Sequence, residues 1–248
     1  MLQTVSADIH IHTCLSPCAD LDMTPIKIVR QSITMGLSII AITDHNSAEN
    51  VAAVTAAARG TGLYVIPGIE ITTAEEVHLL GLFESCQTAL QMQDIVFEHL
   101  MPGENDEKLF GMQVIANEYD EVEGFNKRLL IGSTSLDVNR TIDCIHRHNG
   151  IAIFSHIDRE VNSVIGQLGF IPAGMPIDGI EISRYTDIDR AHARFSEYER
   201  YPFITSSDSH ELPDIGSAST KFLLAGLNFD EVRMALTGTD GRKIKENE

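Results

Sequence analysis

Six of the ten histidines stand beside carboxylates or at short spacings from one another: His10-Ile11-His12, Asp44-His45, Glu70 with His78, His156, and Asp208-Ser209-His210. Neutral imidazole and ionised carboxylate are the ligands that borderline and hard divalent ions take, so this inventory points to a multinuclear metal site and to metal-assisted hydrolysis. In an extended segment His10 and His12 leave the chain on the same side and can hold one ion, although such a pair alone is a weak signal. Asp44-His45 ends the apolar run 39–43, and Asp208-Ser209-His210 repeats that arrangement after residues 203–206. Glu70 interrupts the apolar run 65–71, where a carboxylate is heavily penalised unless cations compensate it, and positive residues are rare nearby. His156 follows the apolar run 151–155. By contrast His99, His146, His148 and His192 lie in helical, charged surroundings and read as solvated side chains.

Strand and helix signals alternate along the chain, the pattern of a parallel sheet covered by helices. Residues 5–10, 37–43, 63–71, 77–83, 151–155, 179–183, 203–206 and 221–225 read as strands. Helices are expected from Thr24-Pro25 to Gly36, with Thr24 as a capping hydroxyl, and over 47–59, 88–101, 136–148, 187–200 and 230–236. Residues 102–135 break the rhythm with an acidic stretch and two β-like runs, 112–117 and 128–132, joined by a charged turn, and read as an inserted flap or small subdomain. Nearly all the candidate ligands follow an apolar strand, as they do in barrel enzymes, whose sites assemble at the carboxyl ends of parallel strands. His78 is the exception, near the start of its own run.

The 248 residues suffice for one large α/β domain, and a hydrophobic share of 43% suffices for its core. Aromatic residues are few and Trp is absent, which argues against platforms for stacking bases. Lys and Arg number 18 against 36 Asp and Glu, a formal charge of -18 that disfavours long nucleic acid while allowing a small anion to enter a metal-lined pocket. The cysteines are Cys14, Cys18, Cys86 and Cys144, of which Cys14 and Cys18 lie near the proposed site and read as small packing residues. With so few cysteines, no signal peptide and no membrane-length apolar run, the expected setting is cytoplasmic, without a membrane partner.

The strings ADIHIHTCLS, GLSIIAITDHN, YVIPGIEITT with EVHLLGLF, IAIFSHIDR and ITSSDSH resemble, in order, the motifs of the polymerase and histidinol phosphatase (PHP) superfamily over residues 7–210. The chain is most similar to its free-standing phosphoesterases rather than to the domains attached to DNA polymerases. The resemblance implies an α/β fold, a distorted (β/α)7 TIM-like barrel over residues 1–248 as a single PHP domain, with 102–135 inserted. It also implies two or three divalent ions, zinc, manganese or iron, with magnesium as a further option. Carried onto this sequence, His10, His12, Glu70 and Asp208 hold the first ion, and Glu70 bridges to a second shared with His78 and His156. A third falls to His45, His210 and one residue of the loop after His12. Family members usually supply an Asp or His there, but this loop is longer; alignment on Thr24-Pro25 favours Asp20, with Cys18 and Asp22 as alternatives.

The expected activity is hydrolysis of a small phosphorylated metabolite or nucleotide by a metal-bridging hydroxide, which needs no protein nucleophile. The leaving group needs an acid, for which Asp44, His45 and His210 are candidates. Arg159 and Arg184, rare cations at strand ends, are candidates to clamp a second phosphate or else to pair with acids such as Glu160 or Asp187. Two alternatives are a nuclease acting on short oligonucleotides or nucleotide 3',5'-bisphosphates, and a metal-stabilised regulatory domain without activity.

Overall fold

The computed structural model describes residues 1–245. From the amino end, β1 (Gln3–Ile11) leads to α1 (Pro25–Thr34), β2 (Ile39–Ile42), α2 (Val51–Ala57), β3 (Tyr64–Thr72), β4 (His78–Leu82) and α3 (Cys86–His99). A segment with α4 (Glu107–Phe110), β5 (Val114–Ala116) and β6 (Val122–Phe125) follows. The remaining elements are α5 (Val138–Arg147), β7 (Ile151–Phe154), α6 (Val164–Leu168), β8 (Gly179–Ser183), α7 (Ile188–Arg194), β9 (Phe203–Ser206), β10 (Thr220–Leu224), α8 (Phe229–Leu236) and β11 (Lys243–Ile244).

The main sheet has the order β11-β10-β1-β2-β3-β4-β7-β8-β9. Its far edge curls back, because the chain after β9 pairs with the end of β1: Ile11 and Ser209 form a parallel bridge, and the His12 N–H donates to Ser209 O at 3.0 Å. Strands β1 to β4 and β7 to β9 thereby form the nearly closed TIM-like barrel that the family resemblance implies. The distortion lies in β4, which runs antiparallel to both β3 and β7. That reversal accounts for His78: the start of β4 pairs with the end of β3, His78 opposite Thr72, and so lies at the same barrel mouth as the ends of the parallel strands.

Alternation along the strands sorts the core into two layers. Ala7, Ile9, Ile39, Ala41, Ile66, Leu80, Ile153 and Ile204 meet inside the barrel, with Phe229, Val232 and Leu236 of α8 packed against them. Their neighbours Ile40, Ile42, Ile69, Leu79, Phe154 and Ile180 face outward against Ile28, Val54, Met92 and Ile145 of the covering helices. The tight fit of β3 against β2 requires Gly68, where a Cβ would come within 2.8 Å of Thr43 Cγ2 and 2.9 Å of Ile42 O.

Several boundaries differ from the sequence pattern. Pro25 opens α1, but the Thr24 hydroxyl makes no cap bond, and its oxygen is buried without a partner. Helix α2 begins at Val51 rather than at residue 47, because Ser47 Oγ and the Ala48 N–H bond to Gln93 Oε1 of α3 instead of entering a helix. Within residues 102–135, β5 pairs with β6 rather than with residues 128–132. Asn117 and Asp120, the latter at φ +64°, close a tight turn, so the partner strand starts within the charged stretch that reads as a bridge. Helix α6 is too short to leave a periodic signal; Ser163 caps it by accepting the Gly166 N–H. Among the described residues, no helix is long and apolar enough to cross a membrane.

Candidate metal centre

The elements at the barrel mouth bring their polar ends to one point, and Glu70 is its hub. Its Oε1 lies 3.3 Å from His10 Nε2, 3.0 Å from His78 Nδ1 and 3.5 Å from His156 Nε2. Its Oε2 lies 3.0 Å from His45 Nδ1 and 3.5 Å from His12 Nε2. The backbone enforces part of this, because the Glu70 N–H donates to Asp44 O and the Asn46 N–H to Glu70 O, which sets β3 beside the turn carrying His45. Asp208 completes the group with Oδ1 at 3.2 Å from the Nε2 atoms of both His10 and His12.

The outer contacts decide which imidazole nitrogens face inward. Ser16 Oγ donates to Asp44 Oδ1 at 2.6 Å, so its oxygen is free to accept the proton of His12 Nδ1 at 2.9 Å. Glu181 likewise accepts from His10 Nδ1, and His210 Nδ1 donates to Asp208 O at 3.0 Å. The Nε2 lone pairs of His10 and His12 therefore point at each other across 3.2 Å, with a carboxylate oxygen equally near both. Such a convergence of electron pairs is stable only around positive charge. Two further nitrogens, His45 Nδ1 and His156 Nδ1, are buried without a hydrogen-bond partner. The 3.0 Å approach of His45 Nδ1 to Glu70 is close but not aligned as a hydrogen bond. This donor set fits divalent ions.

The electrostatics agree. Burial opposes ionisation of Glu70, yet His78, His10 and His45 outweigh it and hold the carboxyl well below its usual range. Burial is likewise outweighed at Asp208, by His10 and His12. Burial, with His210 and His45, holds His12 well below the ordinary imidazole value and so in its neutral, ligating form. At His10 burial loses to Glu181, Asp208 and Glu70, which shift it well upward: these carboxylates call for a cation at that point.

Of the residues singled out in the sequence, His10, His12, His45, Glu70, His78, His156, Asp208 and His210 are brought together. A cleft of about 300 Å³ opens onto His45, Glu70, His78, His156, Asp208 and His210, lined also by Cys18, Ile131, Arg159, Val161 and Asn162, while His10 and His12 are fully buried beneath. Two ligand candidates have strained backbones, His156 at φ +29° and Asp208 at φ +48°, a cost of roughly 1–3 kcal/mol each that the surrounding structure must offset.

Other residues lie elsewhere. Asp44 sits behind His12, fully buried, accepting from the Thr13 N–H, Thr13 Oγ1 and Ser16 Oγ, so it braces the loop and does not reach the cleft. Asp20 is exposed and turned away, its Oδ1 accepting the Asp22 N–H, while Asp22 pairs with Lys27. Cys18 instead faces His45 and His210; burial opposes its ionisation, but the two imidazoles outweigh this and lower the thiol to about 6. Arg159 pairs with Asp208 at 2.7 Å inside the cleft, whereas Arg184 pairs with Asp214 at 2.7 Å and lies against the exposed Tyr185; neither meets Glu160 or Asp187.

Three positioning residues escape the sequence reading. Glu181 orients His10 and accepts the His156 N–H at 3.2 Å. Asp8 accepts the N–H groups of Ser207 and Gly216, bracketing the loop with Asp208 and His210. Ser16 links Asp44, His12 and the His45 N–H. Glu181 carried a usable signal, since Gly179-Ile-Glu-Ile repeats Gly68-Ile-Glu-Ile around Glu70.

Comparison with known proteins matches residues 8–164 to the PHP domain and residues 190–238 to the PHP-associated family. The 5'-3' exoribonuclease Rnm of Escherichia coli is 27% identical over 194 residues, which cover 61% of this chain and 65% of that protein. The lesion-specific endonuclease Q of Pyrococcus furiosus superposes with a TM-score of 0.78 at 17% identity, over 98% of this chain and 58% of that one. An endonuclease Q complex with a 27-mer duplex bearing an abasic lesion gives 0.70 at 18% identity with the same coverage. At such identity the structural likeness is one of fold, and the chain spans less than two thirds of the length of each of these relatives.

Proposed function

The chain belongs to the PHP family, and from that premise we propose that it is a metal-dependent phosphoesterase. The observation that carries this reading is the meeting of His10, His12, Glu70 and Asp208 within 3.5 Å contacts, with Glu70 and Asp208 lining the cleft and the two histidines buried beneath it. In this reading His10, His12, Glu70 and Asp208 hold one ion, Glu70 with His78 and His156 a second, and His45 with His210 a third. Bound divalent ions supply charge neutralisation for phosphate oxygens and bring the ionisation of water towards neutral pH.

The protein's own groups do the rest. Arg159 stands where a phosphate oxygen can replace Asp208 as its partner, which aligns the ester over the floor of the cleft. His210, with 26% of its side chain exposed, is the cluster's most open imidazole and is poised to hand a proton to a leaving oxygen when no cation engages it. Asp44 has no such path and serves through Ser16 and His12.

The main substrate class is a small phosphorylated metabolite or nucleotide. A second reading, a nuclease acting on short oligonucleotides or nucleotide 3',5'-bisphosphates, is favoured by Tyr185, which is 71% exposed and whose ring lies 5.9 Å from Arg159 of the cleft and 5.1 Å from Arg184. The relatives' names, an exoribonuclease and an endonuclease with a bound duplex, keep polynucleotides among the substrates to test. A whole-chain charge of -18 says little about the field at one metal-lined cleft, so it does not decide this point.

The test is to assay metal-loaded protein on phosphomonoesters, nucleotide 3',5'-bisphosphates and 5'-phosphorylated oligonucleotides. Turnover of the first two ahead of the third supports the main reading, and the reverse supports the nuclease. Folded, metal-loaded protein that turns over none of them contradicts both.

A further inference from the structure

We propose that Cys18 is the loop ligand of the third cation position, joining His45 and His210 in a set of one thiolate and two imidazoles. The inference rests on the metal-site reading above and deepens it, since it concerns the one position for which the sequence leaves the ligand open.

The alternatives are engaged elsewhere. Asp20 Oδ1 closes a turn on the Asp22 N–H at 2.8 Å, and Asp22 Oδ1 holds Lys27 Nζ at 2.6 Å, both on the exposed outer side of the loop. Of the three loop candidates, only Cys18 lines the cleft with His45, Asp208 and His210. The loop is fixed in that position by its backbone: the Asp20 N–H donates to His210 O at 2.8 Å and the Ala19 N–H to Ser16 O at 3.0 Å. His45 itself is 5% exposed, and its Nδ1 stands 3.0 Å from Glu70 Oε2 without a hydrogen bond, so the ring belongs to the ion-binding cluster that Cys18 adjoins. His12 adjoins the same two histidines closely enough to share an ion with them.

A sulfur donor gives this position a character that the rest of the cluster lacks. The other candidate ligands are nitrogen and oxygen, which accept manganese and magnesium, whereas thiolate selects softer ions such as zinc and ferrous iron and disfavours magnesium. Cys18 is reached by solvent, so an ion bound there also shields the sulfur from reagents.

Cobalt(II) replaces such ions and reports sulfur ligation directly, through a near-ultraviolet charge-transfer band. We expect the band in the wild type and in Asp20→Ala, and its absence in Cys18→Ser with one fewer cobalt bound, circular dichroism verifying that the variant is folded. Bound metal is expected to slow alkylation of Cys18 by iodoacetamide, while Cys14, its thiol pushed up to about 12 mainly by burial, stays unmodified with or without metal. A wild type that fills all its positions without the band, or a Cys18→Ser protein that keeps it, overturns this assignment and leaves the metal centre standing. Failure to bind cobalt at all overturns the metal centre as well.

Discussion

Both carboxylate oxygens of Glu181 lie on His10 Nδ1, at 2.9 and 3.1 Å, and this turns His10 Nε2 towards Asp208 and Glu70. The same carboxylate accepts the backbone N–H of His156, so one buried side chain aligns candidate ligands of two proposed ion positions. Carboxylates behind ligating histidines typically account for about 10–100-fold in metal affinity or activity. Glu181→Gln is therefore expected to weaken metal binding or turnover by about that factor, measured by calorimetric titration and kcat/KM. Unchanged values in a folded variant would remove Glu181 from the account.

Glu70 touches five histidines, so its loss is expected to affect more than one of the proposed ion positions. A ligand bound only by the native state stabilises it by about 4 kcal/mol when its free concentration is a thousand times Kd. Zinc or manganese is expected to raise the melting temperature of the chelator-treated wild type and to restore its phosphoesterase activity. Glu70→Gln is expected to show a small fraction of both effects. An equal metal-induced rise in the variant contradicts the hub role.

Residues 114–116 are held by one buried amide, that of Asn50. Asn50 Nδ2 donates to Val114 O and Thr13 Oγ1, each at 2.9 Å, and its Oδ1 accepts the Ala116 N–H at 3.0 Å. Asn50→Ala leaves these groups unpaired at a cost of about 1–3 kcal/mol. Denaturant unfolding is expected to register that loss, and hydrogen exchange to quicken first at residues 114–116. Stability within a few tenths of wild type shows that other contacts carry the insertion.

His146 Nε2 lies 2.8 Å from Asp178 Oδ2, and this hydrogen bond, against some burial, raises the imidazole above its ordinary value. A raised histidine contributes stability that is fully present below the unfolded value, about 6.5, and is lost as pH rises through the folded one. His146→Gln is thus expected to be less stable than wild type near pH 5.5 and to converge with it in mild alkali. The pair is about one third exposed, so the gap is about 1 kcal/mol or less. A gap that is independent of pH, or that grows with pH, contradicts the assignment.

Much of this was legible because ligand chemistry and strand ends coincide: apolar runs closing on His10, His45, Glu70, His156 and Asp208 can only converge if the strands are parallel and the barrel closes. His78 looked misplaced because composition does not state strand direction. The spacing did state it, since the five residues between Thr72 and His78 are too few for a parallel crossover, which needs a dozen or more. Asp44 reads as functional from residue type and Asp20 from the family resemblance aligned on Thr24-Pro25, while their roles follow from which hydrogen bonds claim their oxygens, a matter of loop geometry that spacing does not encode. Glu181 repeats the setting of Glu70 but carries no local sign of a site, because no histidine stands near it in the chain; its partner His10 is 171 residues away.

The most direct test of the metal centre is anomalous-scattering crystallography of the protein loaded with zinc or manganese. The account predicts one peak among His10, His12, Glu70 and Asp208 and a second among Glu70, His78 and His156. A well-ordered crystal without an anomalous peak at Glu70, from protein that elemental analysis finds to carry less than one ion per chain, would contradict it.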